Sequence, residues 1–555
     1  GSTVDDVDYL TGDAVGVIDI DGTIQYDGTT SSPEGLKAQL DRAAQNTYIK
    51  AVVLRVNSGG GTATAGEEMA AYVKKFSEDT GKPVVVSSAS VNASAAYEIS
   101  SQADYIFTAK TTAIGAIGTA LQVTDLSGLL EKLGITGGDT ILSGGAMAVP
   151  NNWFQAKAGI QDSVENMAED MIVGGDHVGD PALVNVICNG ATEALDWLIF
   201  EGGVAWQPYE RFFGGHSVAR SLIPEGNEGS GIICKLEKRA EDLKNLVICR
   251  NTKAEELITD ASGAVVGVKA TNLVTGTAHQ FSCKAVVLSA GGFGSNVEMR
   301  MKYNPEMDEK ILSTDSVGAT GDCHVMAEKI GANLIDMQYI QTYPTCDTQT
   351  GALLYVGNMR LENRAICINK EGDRFVEEME RRDVISNAIK KQTNGIGYML
   401  FNQAGLDATD IATVNAAEFD GLMARNQLVK GDTIEAVCEP LGVDAAELEK
   451  TVGKWNGYCK DGKDPDFNYR AAMHPIEGGP YYLLAYKPSV HYTMGGLHID
   501  TDARVLDDAG NPIPGLFAAG EQAGHKMGTN RLGSCSITDI FVFGRIAGAN
   551  AAALA

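Results

Sequence analysis

The stretch His491-Tyr492-Thr493-Met494-Gly495-Gly496, continued by Gly515-Leu516-Phe517-Ala518-Ala519-Gly520-Glu521 and by Asn530-Arg531-Leu532-Gly533-Ser534-Cys535-Ser536, decides how the rest of the chain is read. A histidine and an arginine stand beside loops too rich in glycine to pack as core. Without Cβ atoms, such loops let backbone N–H groups come close to a ligand. Residues 515–521 have the pattern of a buried strand that ends in a tight turn. Arg531 offers a planar, permanently charged fork, the shape that grips a carboxylate. The plainer alternative is a glycine-rich turn region with a solvated arginine.

HYTMGG, GLFAAGE and NRLG, in that order, resemble the C-terminal end of the fumarate reductase flavoprotein family, which includes the soluble flavocytochrome-type fumarate reductases and the urocanate reductases. Upstream, residues 285–294 (AVVLSAGGFG) read as a strand running into a glycine turn, and with 319–322 (ATGD), 137–140 (GGDT) and 143–145 (SGG) they resemble further loops of that family. Each loop alone is a common pattern, and their order along the chain carries the resemblance. It spans residues 129–555 and implies FAD as cofactor. The implied FAD contacts are Glu131, Gly137, Gly138, Thr140, Ser143, Gly144, Gly145, Ala290, Gly291, Gly292, Asp322, Gly520, Glu521, Ser534 and Ser536.

Residues 296–488 resemble the domain that caps the flavin. Two motifs there carry chemistry by resemblance. In Gln341-Thr342-Tyr343-Pro344-Thr345, tyrosine stands where fumarate reductases have histidine, as in urocanate reductases. In the second, Gly372-Asp373-Arg374-Phe375-Val376-Glu377-Glu378 precedes Arg381-Arg382-Asp383, and Arg382 matches the family's catalytic acid. Arg381 reads as its solvated neighbour, and Arg360 stands near the position of a proton relay, one residue out of step. The implied reaction is reduction of an α,β-unsaturated carboxylate. Hydride comes from flavin N5, a proton comes from Arg382, and Arg531 and His491 hold the carboxylate, with Tyr343 and Gln341 beside them. The implied partners are a small carboxylate substrate and a separate electron donor, whether reduced flavin, quinol or cytochrome.

The first third differs in composition: all ten cysteines lie at or after Cys188 and all eight histidines at or after His177. Residues 14–20, 51–56, 83–87 and 106–108 read as strands, with helices at 67–76 and after 91–97, an alternation that implies an α/β layer. LRVNSGGG (54–61), then 82–107, then AIGAIG (113–118) resemble the signal peptide peptidase A family of serine proteases, with a ClpP/crotonase-like fold. That resemblance implies Ser94 as nucleophile and the Gly60 and Gly61 N–H groups as an oxyanion hole. The family's lysine base maps to Met147 in Ser143-Gly144-Gly145-Ala146-Met147, so a protease fold without proteolysis is expected. An oligomer formed through this layer stays open.

The two resemblances meet at residues 129–135 (LLEKLGI). Upstream of Leu129 only the peptidase pattern is read, and the strand–GxGxxG–helix unit that opens flavoproteins of this kind is not found, which implies weakened FAD binding. The expected fold is α/β: a ClpP/crotonase-like layer (1–132) joined to an incomplete Rossmann-type FAD-binding domain (133–295 and 489–555) with an inserted α+β capping domain (296–488). The expected function is a flavin-dependent enoate reductase. The alternatives are an inactive serine-protease-fold module carrying a passenger, or a fusion without activity.

The net charge of −28, from 44 basic and 72 acidic residues, argues against nucleic acid and anionic membrane surfaces as partners. No CxxC or CxxCH occurs, which argues against zinc ribbons, c-type haem and a thioredoxin-like motif, and no metal site is expected. Neither a signal peptide nor an apolar stretch of membrane-spanning length is read, and a targeting segment before Gly1 is left open.

Overall fold

The structure is a computed structural model and describes residues 10–109, 112–115, 137–226 and 228–554. The chain forms two compact units, Gly1–Gln122 and Val123–Ala555.

In the first unit, β1 (Ala14–Ile24), β2 (Ile49–Gly61), β3 (Val84–Ala93) and β4 (Tyr105–Thr108) form a parallel sheet in that order, and β5 (Ala113–Gly115) also pairs with β3. Helices α1 (Pro33–Gln45), α2 (Ala63–Thr80) and α3 (Ala95–Ser100) connect them. Ser32 caps α1 by accepting from the Gly35 N–H at 3.1 Å, with Pro33 pre-set for the first turn. Ile20, Leu54, Val86, Met69 and Val73 are fully buried in the core of this unit. The run 57–61, expected after the second strand, is part of it: Gly60 and Gly61 pair with Thr23 and Ile24 of β1. A Cβ on Gly61 would lie 2.0 Å from the Ile24 carbonyl oxygen, so the strand can continue there only as glycine.

The first helix of the second unit among the described residues is α4 (Gly138–Leu142). Helices α5 (Val164–Gly174) and α6 (Pro181–Phe200) follow. One correction concerns α6, which by length and composition alone is apolar enough to cross a membrane. Its Leu183, Val184, Ile187, Cys188, Ala191 and Leu195 are buried, the first four in the main core with Leu516 and Phe543. A strand begins at Thr252, where pairing with Asn272 starts, and Leu246, Val247 and Ile248 before it are exposed.

β6 (Val286–Leu288) runs parallel to β10 (Pro512–Ala518). Between them in sequence lies an antiparallel sheet of the capping region. β7 (Ile340–Cys346) pairs with β9 (Tyr481–Thr493), which pairs in turn with β8 (Gly397–Asn402). Helix α7 (Arg382–Lys390) packs on β7, where Ser386 donates to the Thr342 carbonyl at 3.2 Å. The chain closes with α8 (Cys535–Ala553).

Candidate functional site

Two parallel strands position one wall of the site. The C-terminal ends of β6 and β10 release Ser289-Ala290-Gly291 and Ala519-Gly520-Glu521 on the same side of the sheet, where open α/β sheets bind their ligands. A cavity of about 820 Å³ lies there, within the usual range of roughly 300–1,000 Å³ for a small-molecule site. Gly137, Gly138, Thr140, Ser143, Gly144, Gly145, Ala290, Gly291, Gly520, Glu521, Ser534 and Ser536 line it. Gly137 (φ 151°) and Gly138 (φ 48°) hold backbone conformations that L side chains rarely adopt, so the turn into α4 needs glycine at both.

The chemistry of this wall fits a dinucleotide cofactor. Asp139, Asp315 and Glu521 are half-buried carboxylates, and the buried Asp315 Oδ2 has no hydrogen-bond partner among the described residues. Burial raises the pKa of all three, and their mutual repulsion adds to it for Asp315 and Glu521; Glu521 reaches about 7. Such groups suit the hydroxyls of a ribose or ribityl chain. α8 starts without a side-chain cap, and its first turns line the cavity, so the positive end of a helix dipole is available to a phosphate.

The other end of the cavity carries two cations. Arg382 is the first residue of α7, and Arg531 lies in the turn before α8. Among the described residues, neither guanidinium has a carboxylate within ion-pair reach, and Arg382 Nη1 and Arg531 Nε lack any partner. Both lie over tyrosines: Arg382 is 4.9 Å from the Tyr343 ring centre and Arg531 is 4.8 Å from that of Tyr492. Burial and the nearby charge of Arg531 pull Arg382 down to about 9, and burial lowers Arg531 as well.

His491 joins them through the ladder of β7 and β9, which sets its ring 5.0 Å from that of Tyr343. Burial and the two arginines hold it well below the usual histidine range, so it is a neutral imidazole, fixed by Thr314 Oγ1 at 2.7 Å from Nδ1. Gln341 does not line the cavity. Its amide donates to Asn530 Oδ1 at 2.6 Å and to the Arg531 carbonyl at 2.7 Å, and so supports the Arg531 turn from beneath.

A family profile described as an FAD binding domain matches residues 114–537. The chain belongs to this family of FAD-binding flavoproteins. Its cofactor is FAD, and the match reaches upstream of Leu129, where we had read only the peptidase pattern. The flavoprotein is 86% identical to a urocanate reductase of Eggerthella lenta over 427 residues, 77% of this chain and 70% of that protein. It is 35% identical to a cytochrome-type fumarate reductase of Shewanella frigidimarina over 76% of this chain and 72% of that protein. Among solved structures, the open conformation of a flavocytochrome c3 fumarate reductase matches with a TM-score of 0.62 at 30% identity, over 90% of this chain and 78% of that one.

Two expected contacts of the flavoprotein fall elsewhere. Asp322 stands outside the cavity wall at the start of a helix and pairs with Lys253 at 2.8 Å; Ser313, Thr314, Ser316 and Gly318 line the cavity in its place. Gly292 acts one layer behind, since a Cβ there would lie 2.2 Å from Glu521 Oε1 and from Thr493 Oγ1. Glu131 lies outside the described residues. Ser94 belongs to the first unit. Arg360 donates to the Glu378 carbonyl at 2.9 Å, while the Glu378 carboxylate is taken by Arg374. Asp139, Arg211, Phe213, Asp315, Tyr355, Asn358, Asp410 and Asn415 also line the cavity, beyond the residues expected from sequence. Asp139 lies within the GGDT turn; the others sit in no glycine motif, and only the fold brings them to the wall. Among the described residues no cluster suited to a metal ion occurs.

Proposed function

We propose that the second unit reduces the carbon–carbon double bond of a small α,β-unsaturated carboxylate of the urocanate or fumarate type. The single observation that carries this is the pair of guanidinium groups, Arg531 buried and Arg382 half-buried, in one cavity and without carboxylate partners among the described residues. An unpaired buried charge costs several kcal/mol, and an anionic ligand relieves that cost. When bound, FAD supplies the hydride chemistry of such a reduction, after receiving electrons from a separate donor.

The chain's residues do the rest. Arg531 grips the substrate carboxylate through its fork, and His491 adds a hydrogen bond without a third positive charge. Arg382 gives a proton to the α carbon as the β carbon takes the hydride, so one C=C π bond is exchanged for two C–H bonds. An arginine with its pKa near 9 is a far better acid than one in water. Charge that builds on the carboxylate side is stabilised by fixed cations in a site of low dielectric. The test is anaerobic oxidation of a reduced viologen on addition of urocanate. Absence of oxidation by FAD-loaded protein with any unsaturated carboxylate would remove this reading.

A second reading concerns the first unit, taken as a serine-protease fold of the signal peptide peptidase A type that has lost proteolysis. Ser94 supports it: the residue holds φ 55°, ψ −129° between β3 and α3, and a Cβ on Gly60 would lie 3.0 Å from its Oγ. A strained serine at the start of a helix, beside a glycine strand, has the layout of an acyl-binding site. By sequence, Met147 stands where that family has its lysine base, so we expect no labelling by a serine-directed fluorophosphonate. Labelling that disappears in Ser94→Ala would contradict it. Strand β1 is an edge strand among the described residues, with Val15 and Val17 exposed, which supports association between copies through this unit; sedimentation tests it.

A further inference from the structure

Behind the Arg531 turn lies a buried network that the proposed chemistry does not use. Arg220 is fully buried and holds Asp162 bidentately, with Nε to Oδ2 and Nη2 to Oδ1 both at 2.9 Å. Its Nη1 donates to Asp170 Oδ2 at 2.5 Å and reaches His216 Nδ1 at 2.9 Å. On the far side of that ring, Nε2 lies 2.8 Å from the Gly533 carbonyl oxygen. Guanidinium only donates, so His216 Nδ1 must accept, and the ring proton must sit on Nε2 and be donated to Gly533.

Gly533 is two residues from Arg531, and the turn is gripped on every side. Gly174 and Gly215 leave room for Leu532, since a Cβ on either would lie 2.5 Å from Leu532 Cδ2. Phe213 closes on Gly533, and Ser221 Oγ meets Ser534 Oγ at 2.6 Å. The Gly533 carbonyl also accepts from Ser534 Oγ, but among the described residues only His216 ties it to a charged network, and that network fixes the tautomer.

Resting on the carboxylate-binding role given to Arg531, we propose that His216 is a positioning residue for substrate binding: locked as its Nε2–H tautomer by Arg220, it holds the Gly533 carbonyl and thereby aims the Arg531 guanidinium into the cavity. Burial keeps His216 neutral, with its pKa pulled down to about 4, in agreement with this tautomer.

The test compares His216→Leu with His216→Gln in the FAD-loaded full chain. It measures KM and kcat for urocanate, and the Kd of a saturated, unreactive carboxylate from its shift of the flavin spectrum. Leucine removes the donor, and we expect KM and Kd to rise by about tenfold or more with kcat within about threefold, because a misaimed clamp weakens binding before it alters proton delivery. The glutamine amide can still donate to Gly533, and we expect it to restore most of the affinity. Unchanged Kd in His216→Leu, or equal damage in both variants, would overturn the proposal. If the leucine variant does not fold, the ¹⁵N spectrum of wild-type His216 decides: a proton on Nε2 is expected, and one on Nδ1 contradicts it. Kd and tautomer are readable even if no acid is reduced, so failure of the proposed reaction is separable from failure of this role.

Discussion

Arg382 and Tyr343 are stacked, with the guanidinium carbon 4.9 Å from the centre of the phenol ring. The contact ties the proposed proton donor to the residue that distinguishes this chain's QTYPT motif, and it comes from α7 packing on β7. Arg382 must be protonated to act as an acid, and its pKa near 9 lies inside a measurable range. We expect kcat to be level around neutral pH and to fall as pH rises through about 9. A kcat that stays level to pH 11 would contradict an Arg382 acid with that pKa.

Arg531→Ala should weaken binding of any carboxylate by about 2–5 kcal/mol, the loss expected when one partner of a buried charge pair is removed. Titration of the FAD-loaded protein with a saturated carboxylate, followed by the flavin spectrum, measures it. A change below about 1 kcal/mol would place the carboxylate elsewhere in the cavity.

Tyr343 is expected to favour an aromatic acrylate, because a phenol supplies no cation for a second carboxylate. Urocanate should therefore have a higher kcat/KM than fumarate, and Tyr343→His should move the ratio toward fumarate. Steady-state rates on both acids, measured in parallel, check this. A wild-type preference for fumarate would remove the basis for it.

Much of this site could be read from the chain because its loops need glycine. The turns at Gly137, Gly291 and Gly520 hold backbone angles that leave a mark in sequence, and all three line the cavity. Arg382 and Arg531 were reachable through the motifs around them. Asp315 and Asn358 were not, since each reaches the wall through long-range packing and its neighbours carry no pattern. Asp322 misled for the opposite reason: it follows a glycine turn of the expected kind, yet its carboxylate turns to Lys253. The fate of 57–61 was equally hidden, because a run of glycines reads as a loop until Thr23 and Ile24 are known to lie beside it.

Glu418 gives a prediction about stability. Its buried carboxylate accepts from the Tyr355 and Val356 N–H groups at 2.9 and 2.7 Å, and burial raises its pKa from 4.5 to about 7. A carboxyl raised on folding binds its proton more tightly in the folded state. Its contribution is therefore fully present below about pH 4.5 and is lost as pH rises through about 7. The shift corresponds to roughly 3 kcal/mol at most. Glu418→Gln should lack this loss, so the difference in thermal midpoint between the variant and wild type should widen in the variant's favour from pH 4.5 to 7.5. A difference independent of pH would contradict the shift.

The most direct measurement of the central claim is oxidation of reduced viologen by FAD-loaded protein with urocanate, run beside Arg382→Ala. We expect turnover in the wild type and a loss of about 10³-fold or more in the variant, beyond the roughly 10²–10⁴-fold range of general acid catalysis only if Arg382 also binds substrate. The variant should still bind a saturated carboxylate. Undiminished turnover in Arg382→Ala, with the protein folded and loaded with FAD, would contradict the account.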